Sequence, residues 1–225
     1  MQEAHVYGKY AHFAISDLFT FLSSCGTTLA VTLISLFLGS VLGVVIGLIR
    51  CSHNKVIRTI PLIFIEPLRN SPLVVQLFLV YYGLPVVMGT LLDVYSAAIL
   101  TLSLNTAAFF SVLVHNSIKA VPTAQWEVGY ALGHGKASTF IHIIAQQAVR
   151  LLIPQAITLY IGQLQCSSIL SLISLRDLCR VGQLLTVRTM QPFIVWGIVF
   201  FLYYAISFPL ARLAGYLENR LNYSY

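Results

Sequence analysis

The chain has 225 residues, of which 58% are hydrophobic and only 9% carry charge, against about 25% in a soluble domain. That composition excludes a soluble globular protein and identifies an integral membrane protein. The formal charge of +6 belongs with lipid rather than nucleic acid, because the basic residues flank the apolar runs, where they set topology and meet anionic headgroups.

Residues 1–17 lack the basic start of a secretory signal, and the apolar run that follows is longer than a signal's hydrophobic region. They are expected to form an extracytoplasmic N-terminal segment ahead of a retained membrane helix. Charge-free runs cover 18–49, 70–92, 94–118, 151–175 and 189–211. Each is long enough to cross about 30 Å of hydrocarbon, which takes about 20 apolar residues. The expected fold is therefore all-α, with a transmembrane domain over 18–215 and five spans near 18–49, 68–84, 94–115, 151–172 and 191–212. A polar loop over 119–150 and a tail over 216–225 complete the chain.

In the first run Ser35, Gly39, Gly43 and Gly47 recur at every fourth position, forming one helical stripe on which a neighbouring backbone can approach closely. A polar turn, Arg50 to Lys55, precedes an interfacial helix through Ile60–Pro67. Glu66, Arg69, Asn70, Ser71 and Gln76 then sit at the membrane edge, where polar side chains either line a wet path or pair with one another. Glu66 and Arg69, at i,i+3, are candidates for an ion pair that anchors the helix end; both readings stay open. The second span is expected to close with a chain reversal at Tyr82-Gly83-Leu84-Pro85. Asn105 in the third span, and Gln163, Gln165, Ser167 and Ser168 in the fourth, are further candidates for interhelical bonding or a polar path.

The loop is the one stretch built to meet water. From Trp126 to Pro154 it carries Glu127, His134, Lys136, His142 and Arg150, and it breaks at Gly133–Gly135. A first helix is expected from Pro122-Thr123 to Gly133, and a second from Lys136 toward Arg150, since a glycine after a helix is a common stop. The segment GYALGHGKAS is not a phosphate-binding loop, because Tyr130 stands where that motif has its first glycine and Ala137 where it has its hydroxyl. If this loop is cytoplasmic, eight basic residues face inward and Lys9, Arg176, Arg180 and Arg188 face outward. The positive-inside rule favours that orientation, with the N-terminus outside and the C-terminus in the cytoplasm. Cys25, Cys51, Cys166 and Cys179 form no C-x-x-C pair and read as free thiols, and the histidines have no metal-ligand spacing.

Four blocks carry a resemblance: Gly26-Thr27-Thr28-Leu29; Glu66-Pro67-Leu68-Arg69-Asn70-Ser71-Pro72 through Gln76; Tyr82-Gly83-Leu84-Pro85; and Gln125-Trp126-Glu127 with Ala131-Leu132-Gly133, followed by Pro154 at the start of the next span. In order and spacing, over roughly residues 20–221, the chain resembles the permease subunits of binding-protein-dependent ABC importers, within the polar amino-acid subfamily. The resemblance implies a type I ABC importer permease fold in a bacterial inner membrane, with 119–150 as the "EAA" coupling loop. It further implies a second permease subunit, two ABC ATPase subunits that bind the ATP-Mg, and an extracytoplasmic amino-acid-binding protein. Trp126, Glu127, Ala131, Leu132 and Gly133 would then be the ATPase-coupling residues, and Asn70, Ser71, Gln76, Asn105, Gln165, Ser167 and Ser168 would border the substrate path.

The chain departs from that pattern in three places. The triplet reads Glu127-Val128-Gly129; Val112 and His115 stand where many relatives have a glutamate and an arginine; Gln165-Cys166 replace a frequent Lys-Asp before Ser167-Ser168. Few carboxylates near the spans favour a neutral cargo such as glutamine over a cationic one. The permease itself would perform no chemistry and hold no cofactor. The alternative from the residues alone is an ATP-independent secondary transporter or channel, which usually carries paired broken helices or mid-membrane carboxylates. A membrane-embedded enzyme would rest on Ser111 and His115 alone, without a completed nucleophile–base constellation.

Overall fold

The computed structural model describes residues 15–222; most of the segment expected outside the membrane, residues 1–14, lies outside this range. The described chain is helical throughout. Helix α1 spans Ile15–Arg50, α2 Lys55–Asn70, α3 Leu73–Met88, α4 Val94–Ala120, α5 Thr123–Ala131, α6 Lys136–Ile173, α7 Leu178–Thr189 and α8 Pro192–Asn222. By length and apolarity α1, α4, α6 and α8 can each cross a membrane, and α2 with α3 make a fifth crossing if that bent pair counts as one.

Helix α4 is the hub. Two thirds of its most apolar stretch is buried inside the molecule (67%), against 11% for α8, whose outer face bears the exposed Phe193, Phe200 and Phe201. The small-residue stripe of α1 lies directly on α4. A Cβ on Gly39 would stand 2.7 Å from the Ser103 carbonyl oxygen, one on Gly43 3.1 Å from that of Ala107, and one on Gly47 2.9 Å from that of Ser111. Ser35 donates from Oγ to the Ile99 carbonyl at 3.4 Å, one turn before Ser103. The same Cβ atoms would stand 2.5–2.7 Å from the Cβ atoms of Thr106, Phe110 and Val114, so the glycines of α1 are what let the two helices approach this closely.

Caps set the helix starts. Asn54 Oδ1 accepts from the Val56 N–H at 2.9 Å, Asp93 Oδ1 from Tyr95 and Ser96 at 2.8 and 3.0 Å, and Asp177 Oδ1 from Arg180 at 2.8 Å; each satisfies an orphan first-turn donor. At that last start the Leu178 N–H also donates to Thr28 Oγ1 on α1, 3.0 Å away. Asp17 and Arg188 form an ion pair that ties the start of α1 to the end of α7.

Three expectations need revision. The stretch expected as a span over 68–84 is broken by a 109° bend between Asn70 and Leu73, where Ser71 and Pro72 take extended backbone; proline disfavours the helical conformation of the residue before it. The chain does not reverse at Tyr82–Pro85: a π-turn over Leu79–Gly83 hands the helix on to Met88, and it ends at Gly89 with φ +68°. No new helix starts after Pro154. That proline lies inside α6, which is continuous from Lys136 through a π-turn at Phe140–Ile144 and tightens to a 3₁₀ turn over Ser167–Ile173.

Candidate functional site

Helix α5 and the start of α6 form an elbow at one end of the bundle. The elbow turns at Gly133, whose φ of +79° falls in the left-handed region that costs an L side chain roughly 1–2 kcal/mol. The Gly133 N–H donates to the Tyr130 carbonyl and the His134 N–H to that of Gly129, both at 3.0 Å. No neighbouring atom lies within 4 Å of a Cβ built on Gly133, so its requirement is conformational, not steric. Gly129 is the opposite case. Its Cβ would stand 2.3 Å from Thr139 Cγ2, and Thr139 is fully buried with its hydroxyl donating to the Gly135 carbonyl at 3.1 Å. The glycine that departs from the triplet the resemblance implies is thus matched to a threonine across the elbow.

The inner face of the elbow is held by a small apolar cluster, in which Trp126, Phe140, Ile143 and Ile118 pack on the buried Val121, Ile144 and Ala148. The Trp126 and Phe140 rings stack with centroids 6.3 Å apart, and Gln147 Nε2 donates to Gln125 Oε1 at 3.1 Å. The outer face is bare. Glu127, Ala131 and Gly133 are exposed, and Leu132 is 69% exposed with Val128 and Tyr130 about half exposed beside it. Of the five residues read as a coupling group, Trp126 anchors the helix from within and the other four are displayed.

A second constellation crosses the middle of the bundle. Gln76 Nε2 donates to the Leu68 carbonyl at 2.6 Å and to the Ser71 carbonyl and hydroxyl at 3.1 Å. Asn105 Nδ2 donates to Gln76 Oε1 at 3.1 Å, and Gln163 Nε2 to Asn105 Oδ1 at 2.8 Å. The three amides are 5–6% exposed, and they bridge the α2–α3 bend, α4 and α6. Gln163 Oε1 ends the chain buried and without a partner among the described residues. Ser71, Gln76 and Asn105 are thus brought together, and Gln163 completes them. Its signal in the sequence was a mid-span amide, but the contact that selects it over Gln165 is non-local.

The other path candidates stand apart. Asn70 and Gln165 are exposed, as is Cys166; Ser167 is buried with its hydroxyl donating to the Leu164 carbonyl at 2.7 Å; Ser168 is half-buried. The candidate ion pair of Glu66 and Arg69 is not formed. Both are exposed, and the Arg69 guanidinium, in the last turn before the bend, lies over the Phe109 ring of α4 at 5.6 Å. His115 is buried with Nδ1 3.4 Å from Cys51 Sγ, so it is held by a thiol rather than by Ser111, whose hydroxyl donates to the Ala108 carbonyl. Among the described residues no group of three or more His, Cys, Asp or Glu is placed to hold a metal ion.

Residues 39–223 match the family model described as the binding-protein-dependent transport system inner membrane component. The chain is 32% identical over 196 residues to the L-cystine transport system permease protein of Bacillus subtilis, covering 87% of this chain and 83% of that one. It is 31% identical over 198 residues to a probable glutamine ABC transporter permease protein of the same organism, covering 88% and 91%. Among solved structures, the crystal structure of an amino acid ABC transporter with histidines superposes with a TM-score of 0.85 at 27% identity, covering 92% of this chain and 96% of that chain.

Proposed function

The chain belongs to the family of binding-protein-dependent transport inner-membrane components, and from that premise we propose that it is the membrane-spanning subunit of an ATP-driven importer of polar amino acids. The family match, which covers most of the chain, carries the reading; the bare outer face of α5 supplies its mechanism. ATP is hydrolysed on two separate ATPase subunits, each docking on such an elbow. A second permease subunit closes the path, and an extracytoplasmic binding protein delivers the amino acid. Glu127, Ala131 and Leu132 meet the ATPase, Gly133 sets their angle, and Trp126 transmits the displacement to α4 and α6 through the cluster beneath it. The permease converts a partner's closure into a rearrangement between two packings. The elbow lies on the cytoplasmic side, where the positive-inside rule puts it.

A neutral polar amino acid such as glutamine fits best. Cationic cargo needs fixed carboxylates, and the polar groups that cross the bundle, the amides at 76, 105 and 163, carry no charge. The bend between α2 and α3 is a broken helix of the kind used by secondary transporters, but those use such breaks in pairs, and among the described residues one bent pair is found. The test is uptake of labelled glutamine, arginine and histidine by vesicles holding this chain with its ATPase. Uptake of glutamine that requires ATP is expected; uptake that proceeds without ATP overturns the reading.

A further inference from the structure

Behind the elbow lies a cavity of about 940 Å³ that the transport reading does not use. Its wall is formed by the last turn of α1, the first turn of α2, the last turns of α4, the inner face of α5 and the first turn of α6. Four permanent cations line it, Arg50, Arg58, Lys119 and Lys136, each from a different helix, and the lining contains no aspartate or glutamate. Arg50 Nη1 is buried and has no hydrogen-bond partner among the described residues. Glu66 acts on Arg50 electrostatically, but it neither lines the cavity nor pairs with it. Four like charges around one partly enclosed space repel one another unless an anion joins them.

The rest of the wall selects the anion. Trp126, Phe140, Ile118 and Leu48 make it largely apolar. A small inorganic ion would answer the cations and leave this apolar surface against water. A phosphate carried on a glycerol and the first methylenes of acyl chains answers both. The position agrees, since α1 and α4 are long and apolar enough to cross a membrane and the cavity lies where they end, the end of a span being where basic residues meet anionic lipid headgroups. Guanidinium groups suit such a group, because they donate in pairs to phosphate oxygens.

We propose that this cavity binds the phosphate of an anionic phospholipid and so ties the inner face of α5 to the lipid surface. The shared chemistry is a phosphate anion held by Arg50, Arg58, Lys119 and Lys136, and the apolar wall makes the lipid its source. Binding needs neither ATP nor amino acid, so its failure would leave the transport reading untouched.

Trp126 reports on the site directly. The chain has two tryptophans, and Trp196→Phe leaves Trp126 alone. The purified full-length chain in a neutral detergent is titrated with dihexanoyl phosphatidylglycerol, dihexanoyl phosphatidylcholine and inorganic phosphate while its fluorescence is followed. Phosphatidylglycerol is expected to saturate the signal at concentrations at least tenfold below phosphatidylcholine. Arg58→Gln with Lys119→Gln should weaken phosphatidylglycerol at least tenfold with Tm preserved, and Arg212→Gln, outside the cavity, should leave it unchanged. If the double variant does not fold, Lys136→Gln at an exposed position should weaken binding severalfold. Inorganic phosphate saturating as well as phosphatidylglycerol would keep the phosphate site and overturn the lipid as its source. An unsaturable signal, equal response to the two lipids, or unchanged affinity in the cation variants would overturn the proposal.

Discussion

The seam between α1 and α4 and the elbow between α5 and α6 both depend on glycine, for opposite reasons. In the seam Gly39, Gly43 and Gly47 are there because an opposing backbone occupies the place of a side chain. At the elbow Gly133 has open space around it and is there because of its φ of +79°. One region uses glycine to remove distance between rigid helices, and the other to fix the angle of a displayed one. The seam therefore carries stability, and the elbow carries the connection to a partner that we propose. Gly129 sits in the elbow but behaves like the seam, since Thr139 fills its side-chain space.

Substitutions separate the two roles. The largest loss of stability is expected for Gly39→Ala, whose Cβ would meet the Ser103 carbonyl oxygen at 2.7 Å and Thr106 Cβ at 2.5 Å. Overpacking of this kind costs about 1–3 kcal/mol, read as a drop in Tm of the detergent-solubilised chain. Next is a gain, at the cap that moors α7 to α1. Asp177 is buried and one of its oxygens has no hydrogen-bond partner among the described residues, and burial pushes its carboxyl up to about 6. The ionised form is thus the one disfavoured by folding, so stability falls as pH rises from about 4 to about 6 and stays low above it. Asp177→Asn should stabilise the chain above pH 6 by on the order of 1–2 kcal/mol, read as a higher Tm, and the difference should vanish below pH 4.

Smaller again is Gly129→Ala, expected to cost about 1 kcal/mol and to be partly restored by Thr139→Ala, which removes the atoms at 2.3 and 2.8 Å. Failure of that rescue in a double-mutant cycle would remove Gly129 from the steric class. Gly133→Ala comes last, at the low end of the roughly 1–2 kcal/mol of left-handed strain and without any steric clash. A loss larger than that of Gly39→Ala would break the comparison altogether.

The seam was legible in the sequence because small residues at every fourth position can form only one stripe on a helix. The elbow was legible as well: its first helix and its glycine break fall where Pro122, Thr123 and Gly133 put them. What could not be read is direction. The run over 70–92 is uncharged throughout, so its hydropathy gives no sign of a 109° bend at Ser71–Pro72. Pro154 reads as a helix start, yet it lies inside α6. The missing bond of a proline is a local cost that a long packed helix absorbs. The amide chain was half legible. Gln76 and Asn105 stand out as polar groups in apolar runs, whereas their joining through Gln163 depends on how α3, α4 and α6 meet.

The central claim is that the elbow, and not the seam, connects this chain to ATP. It is tested most directly by Gly133→Asp in vesicles that hold the permease with its ATPase. The expected result is normal insertion and a Tm close to that of the unaltered chain, with ATP-dependent amino-acid uptake abolished. Uptake at the unaltered rate by the Gly133→Asp chain would contradict the account.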